Sequence, residues 1–221
     1  MKFDYTYITV LGYTIFEPMV LLINSIFFVM TIIFARRLFL FKNNYARQMG
    51  LFILSLGAGM IFGAIGHAVH LQAGERFFSL ILLLMNLCSL FSVLFCFRGC
   101  YFLLKGAESK KMLYGVSGIL AAMLVVSMIR GDFTIIKVMA GLVLLFALYA
   151  HHMDWKRNRR PGDNQVKVGI LVSFLSLISH SLHISFGEWF NHKDVAHVIM
   201  TVGMMIIYIG IRKNAEDLVA I

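Results

Sequence analysis

Two short segments of this chain carry the same chemistry-bearing residues in the same order. One reads His67-Ala-Val-His70-Leu-Gln-Ala-Gly74-Glu75-Arg-Phe77. The other reads His180-Ser-Leu-His183-Ile-Ser-Phe-Gly187-Glu188-Trp-Phe190. Histidines three apart share one helix face. Neutral imidazole is a ligand for zinc, iron, copper and nickel. Two such pairs, joined by His192 and His197 shortly downstream, make His67, His70, His180, His183, His192 and His197 the candidate ligands of a divalent transition metal, zinc first. Iron, copper or haem are the alternatives. Glu75 and Glu188 follow the pairs at equal distance and are candidates for a general base or for orienting a ligand. Asp194 has two readings: a cap for the helix that follows it, or a base acting on a metal-bound water.

The elements that must position these residues are apolar. The chain has 221 residues, of which 60% are hydrophobic and 14% charged. Soluble domains are nearer half apolar and a quarter charged. That excludes an ordinary soluble domain, a disordered chain and a coiled coil. Seven apolar stretches stand out: Pro18–Phe34, Met49–Leu71, Phe77–Phe97, Met112–Ile129, Phe133–Ala150, Val168–Phe186 and Val195–Ile211. Each is long enough to span a bilayer as a helix, and none alternates with a period of two as a membrane strand would. The expectation is an all-α, seven-helix integral-membrane protein forming one domain over 1–221. The first stretch is preceded by Glu17-Pro18 and followed by Arg36-Arg37, the reverse of a cleavable signal.

Charge orients the helices. Fifteen of the twenty Lys and Arg residues fall in the segments after the first, third, fifth and seventh stretches. Lys2, Arg76, Arg130 and Lys193 fall on the other side. The positive-inside rule then puts the N-terminus outside and the C-terminus in the cytoplasm. The net charge of +9 is a topology signal, with some attraction to anionic lipid, and does not call for nucleic acid. The six candidate ligands fall together at the extracytoplasmic end. His151 and His152 fall at the other end, where headgroup or solvent contact is their simplest reading.

The two histidine segments are offset by 113 residues, and the same offset superimposes the basic loops after the first and fifth stretches. Stretches one to three thus pair with five to seven, with the fourth as linker: a parallel 3+1+3 repeat of a kind found in transporters. Elsewhere, Gly57, Gly59, Gly63 and Gly66 give the second stretch a close-packing face. Asn24 and Asn86 are candidates for hydrogen bonds between helices. Lys137, alone in an apolar run, is placed to reach the nearer surface. Trp189 and Phe190 read as interface anchors. Cys88, Cys96 and Cys100 have neither disulfide nor zinc-ribbon spacing and read as small buried hydrophobes.

The seven-helix layout, with histidines at the outer end of the second helix and near the start of the seventh, resembles the alkaline ceramidase and adiponectin-receptor superfamily. That resemblance implies an intramembrane zinc hydrolase in which His67 or His70, together with His197, would be ligands. The substrate would be a lipid amide or ester at the outer leaflet. The 3+1+3 layout also resembles SWEET-type transporters in topology. The alternatives to a hydrolase are therefore a histidine-ligated iron, copper or haem oxidoreductase, and a transporter or sensor of metal or a small ligand.

Overall fold

The computed structural model describes residues 6–69, 71–72, 74–107, 109–131 and 133–220. Seven helices follow a short hairpin. The helices are α1 (Pro18–Phe39), α2 (Asn44–Val69), α3 (Glu75–Lys105), α4 (Lys110–Arg130), α5 (Thr134–Asn158), α6 (Asp163–Ser181) and α7 (His192–Ala220). They begin and end where the sequence offers stop signals. Pro18 opens α1 with a fixed φ. Gly106 and Gly131 close α3 and α4 in the left-handed conformation, which costs glycine little. Ser109 accepts the Met112 amide at the start of α4.

All helices but α6 are long and apolar enough to cross a membrane. α6 has only 19 residues and is polar at both ends, with Asp163-Asn164-Gln165 at one and His180-Ser181 at the other. Several helices also expose apolar side chains at helical spacing, such as Leu22, Ile26, Val29 and Ile33 on α1. A soluble monomer rarely presents continuous apolar surface of that extent.

Six helices close into a ring. α1 packs on α2 and α7, α2 on α3, α3 on α5, α5 on α6, and α6 on α7; α2 also meets α7 across the middle. α4 lies outside the ring against α3 and α5, and only Leu120 and Ser127 of α4 are buried. The principal neighbours of α2 are therefore α1, α3 and α7, rather than the α2–α6 partnership that a direct pairing of the two histidine segments suggests. Asn86 does bond across helices, to Ser127 of α4. Asn24 instead donates to Val20 of its own helix.

Glycines set the tightest contacts. A methyl at Gly210 would stand 2.6 Å from the Gly162 carbonyl oxygen, and one at Gly169 2.7 Å from that of Gly203. Here the backbones of α6 and α7 touch, as small residues permit. Gly210→Ala should therefore cost about 1–3 kcal/mol, because backbone rather than a side chain must give way. Gly141 faces open space, so Gly141→Ala should gain about 0.5–1 kcal/mol from helix propensity. Thermal unfolding of the two variants in detergent checks the contrast. Equal midpoints would contradict the α6–α7 contact.

Candidate functional site

The hairpin is the first thing that the sequence reading missed. Strands β1 (Tyr7–Val10) and β2 (Tyr13–Phe16) pair antiparallel. Leu11 and Gly12 between them have φ of 51° and 83°, the double positive φ of a two-residue hairpin turn. The signal was present in a β-branched and aromatic run divided by Leu-Gly. Gln72, just beyond α2, donates to the Thr14 carbonyl and ties the hairpin to the histidine end of the bundle.

Glu17 joins hairpin to helices. Its backbone is left-handed, with φ of 47°, an unusual state for a residue with a β-carbon. Its amide donates to the Thr6 carbonyl. The carboxylate is only 4% exposed and takes His67 Nδ1 of α2 at 2.8 Å and Lys193 Nζ of α7 at 2.5 Å. Burial alone would raise its pKa. The close His67 and Lys193 nitrogens outweigh that and hold it near 2. A lowered carboxylate pKa gives stability that is complete above the ordinary value of 4.5 and is lost as pH falls towards 2. Unfolding midpoints of wild type should thus drop over that acid range, while those of Glu17→Gln change less. At neutral pH the variant should be less stable by about 1.5–3 kcal/mol, the worth of hydrogen bonds to a charge. Parallel pH profiles would contradict the clasp.

Three imidazoles gather beside it. α6 ends in a Schellman motif: the Ile184 amide donates to the Ser179 carbonyl and the His183 amide to that of His180. The left-handed position of that motif usually belongs to glycine, and His183 holds it at φ of 51°. The turn sets the His183 ring 4.6 Å from that of His192, centre to centre, and the His180 ring is 5.1 Å from that of His192. His197, further along α7, is partly buried and within electrostatic reach of His67, His180, Lys193 and Glu17. Five of the six sequence-predicted ligands thus share one end of the bundle, although His67 is engaged with Glu17. The sixth, His70, lies outside the described residues. Among the described residues, no group of three His, Cys, Asp or Glu side chains is arranged to hold an ion.

Of the predicted carboxylates, Glu75 and Glu188 are exposed. Asp194 is buried, and its Oδ2 accepts the Asn191 amide at 2.8 Å while Asn191 Oδ1 accepts the Lys193 amide. This is a reciprocal cap at the start of α7. The other oxygen of Asp194 is buried without a hydrogen-bond partner.

The opposite end holds a second polar cluster, and it corrects the reading of His151 as a headgroup- or solvent-facing residue. His151 and Asp163 are fully buried. His151 Nδ1 donates to Asp163 Oδ1 at 2.8 Å, and Asn214 Nδ2 donates to the same oxygen at 2.8 Å. Asn214 Oδ1 in turn accepts the Gly162 amide. Arg160 donates to both oxygens of Asp154 and reaches Asp217 at 3.3 Å. The cluster pins α5, the following turn, α6 and α7 together. Its signal in the sequence is Asp154 and Asp163 flanking an otherwise basic loop. His151→Leu and Asp163→Gly should couple by about 0.5–3 kcal/mol in a double-mutant cycle, since each leaves the other's polar atoms stranded. Additive effects would contradict the pair.

The chain belongs to a family of unknown function, DUF6962, whose profile matches residues 19–216. No curated protein and no solved structure matches it.

Proposed function

We propose that this is a multi-pass membrane protein with its N-terminus outside, which binds zinc at its extracytoplasmic end and hydrolyses an ester or amide bond of a membrane lipid there. The observation that carries the proposal is the grouping of His180, His183 and His192. Imidazoles on one tetrahedral zinc, with Zn–N of about 2.0–2.1 Å, have ring centres roughly 5 Å apart. The two spacings of 4.6 and 5.1 Å are of that size. Closing the nitrogens round an ion takes side-chain rotation at the end of α6, in the exposed turn after it and at the start of α7. A histidine where that turn usually takes glycine fits a residue held for chemistry.

Zinc would supply a hydroxide at neutral pH and polarise the carbonyl. Glu188, four residues before His192 in the same exposed segment, is the preferred base, because Asp194 already serves the cap. His67 and Lys193 hold Glu17 and are positioning residues.

The 3+1+3 repeat belongs to this proposal, and the ring supports it. Exchanging α1–α3 for α5–α7 leaves the order of neighbours unchanged. Gly50 packs on Leu38, and 113 residues later Asp163 packs on His151. That layout also favours a second reading, transport, in which the ring would open a wet path between its two polar ends.

Metal analysis of detergent-purified protein tests the site. His180→Ala, His183→Ala and His192→Ala should each lower bound zinc by about ten-fold or more, since loss of even an outer partner costs 10–100-fold. His152→Ala, at the other end, should not. Full metal content in all three variants would remove the site. Cysteine labelling in intact cells tests the orientation: Gly187→Cys should react from outside, and Lys111→Cys only after permeabilisation. The reverse pattern would overturn it.

A further inference from the structure

A cleft of about 270 Å³ opens between α2 and α3 at the histidine end. Its walls include Phe62, Phe78 and Met85, and its bed includes Gly66. His67 and Lys193 stand at the mouth, with side chains 47% and 24% exposed.

We propose that this cleft holds one acyl chain of an anionic phospholipid, with the phosphate on Lys193 and His67. Three features carry the assignment. The lining is apolar, so it favours a chain over a polar solute. Both donors at the mouth suit a phosphate oxygen, and a lysine ammonium is a compact donor with three rotatable N–H groups. Glu17 pairs with both of these donors, so an arriving phosphate competes with it for them. Glycine at 66 keeps the bed open: a β-carbon there would touch Ile81 and Phe78 at 3.4 and 4.0 Å, and a longer side chain would occupy the space of the lipid chain.

The catalytic consequence rests on the zinc reading above. Lys193 follows His192 in the chain, so a phosphate bound to Lys193 brings the adjoining glycerol esters towards the His180–His183–His192 group. The substrate class is then an anionic glycerophospholipid, and the bond broken is an acyl ester. Water adds its hydroxide to the carbonyl carbon, the C–O bond to glycerol breaks, and the glycerol oxygen takes the proton. A fatty acid and a lysophospholipid result.

Native mass spectrometry of protein taken from nanodiscs of equal phosphatidylcholine and phosphatidylglycerol tests the site. Wild type should retain one phosphatidylglycerol in preference to phosphatidylcholine. Gly66→Leu should reduce that retention about ten-fold, the change that one ordinary contact's worth of affinity makes. Gly66→Ala, which makes only ordinary contacts, should reduce it less. Lys193→Gln should abolish the headgroup preference, and it reads the same site should Gly66→Leu fail to fold. Glu17→Gln, which removes the competing charge, should raise retention. Equal retention of the two lipids by wild type, or retention unchanged in both Gly66→Leu and Lys193→Gln, would overturn the proposal. The lipid site and the zinc site fail separately. His192→Ala should lower zinc and leave phosphatidylglycerol in place, and a zinc-free wild type that still selects phosphatidylglycerol keeps the lipid site while removing the hydrolase.

Discussion

A buried carboxylate must find positive partners, and at the histidine end Glu17 finds two. Neither comes from its own helix. His67 reaches it from α2 and Lys193 from α7, so three elements far apart in sequence meet on one side chain. An unpaired carboxylate there would be severely penalised, which makes the meeting obligatory rather than incidental. The left-handed backbone at Glu17 turns the chain from hairpin into α1 and aims the carboxylate inward. Lys193 is fixed in turn by the cap at the start of α7, where Asp194 secures the Asn191 amide and Asn191 that of Lys193. His192, one residue before, is thereby held against the end of α6. The imidazole group depends on this chain of constraints.

The bundle is polar at two ends and apolar between. In the first half, Leu38 and Gly50 pack where α1 meets α2. At the matching place of the second half, α5 meets α6 through His151 and Asp163. A simple apolar contact therefore suffices for that packing geometry, and the polar version is an addition. Its cost is visible in His151 Nε2 and Asp163 Oδ2, both buried without hydrogen-bond partners, as is the nearby Tyr45 hydroxyl. Buried polar groups of this kind are normally satisfied by protein or water. The His151–Asp163 pair stands where the first half has Leu38 and Gly50, so the two halves differ in chemistry even where their packing corresponds.

The helices were legible because apolar runs of bilayer length have few other uses, although α3 runs on to Lys105, past the Phe97 at which its apolar stretch ends. The grouping of histidines at one end was legible from helix direction alone: His67 and His180 close helices that run the same way. Glu17 was not, because a lone acid before a proline gives no sign of which distant donors will reach it. His151 was misplaced for a related reason. The basic residues around it account for topology, and only the packing of α5 on α6 reveals that its ring turns inward to Asp163. Asp194 had both a capping and a catalytic reading in sequence, and its hydrogen bond to Asn191 gives it the cap. α6 was read as an ordinary span, yet its polar ends leave it the one helix of the seven not apolar enough to cross a membrane among the described residues.

X-ray absorption at the zinc edge of the purified protein tests the central claim most directly, because it reads the ligands themselves. The account predicts about three imidazole nitrogens at about 2.0–2.1 Å with one oxygen ligand, and a loss of imidazole scattering in His192→Ala. A stoichiometrically bound zinc whose shell contains no imidazole, or purified protein that takes up no zinc, would contradict it.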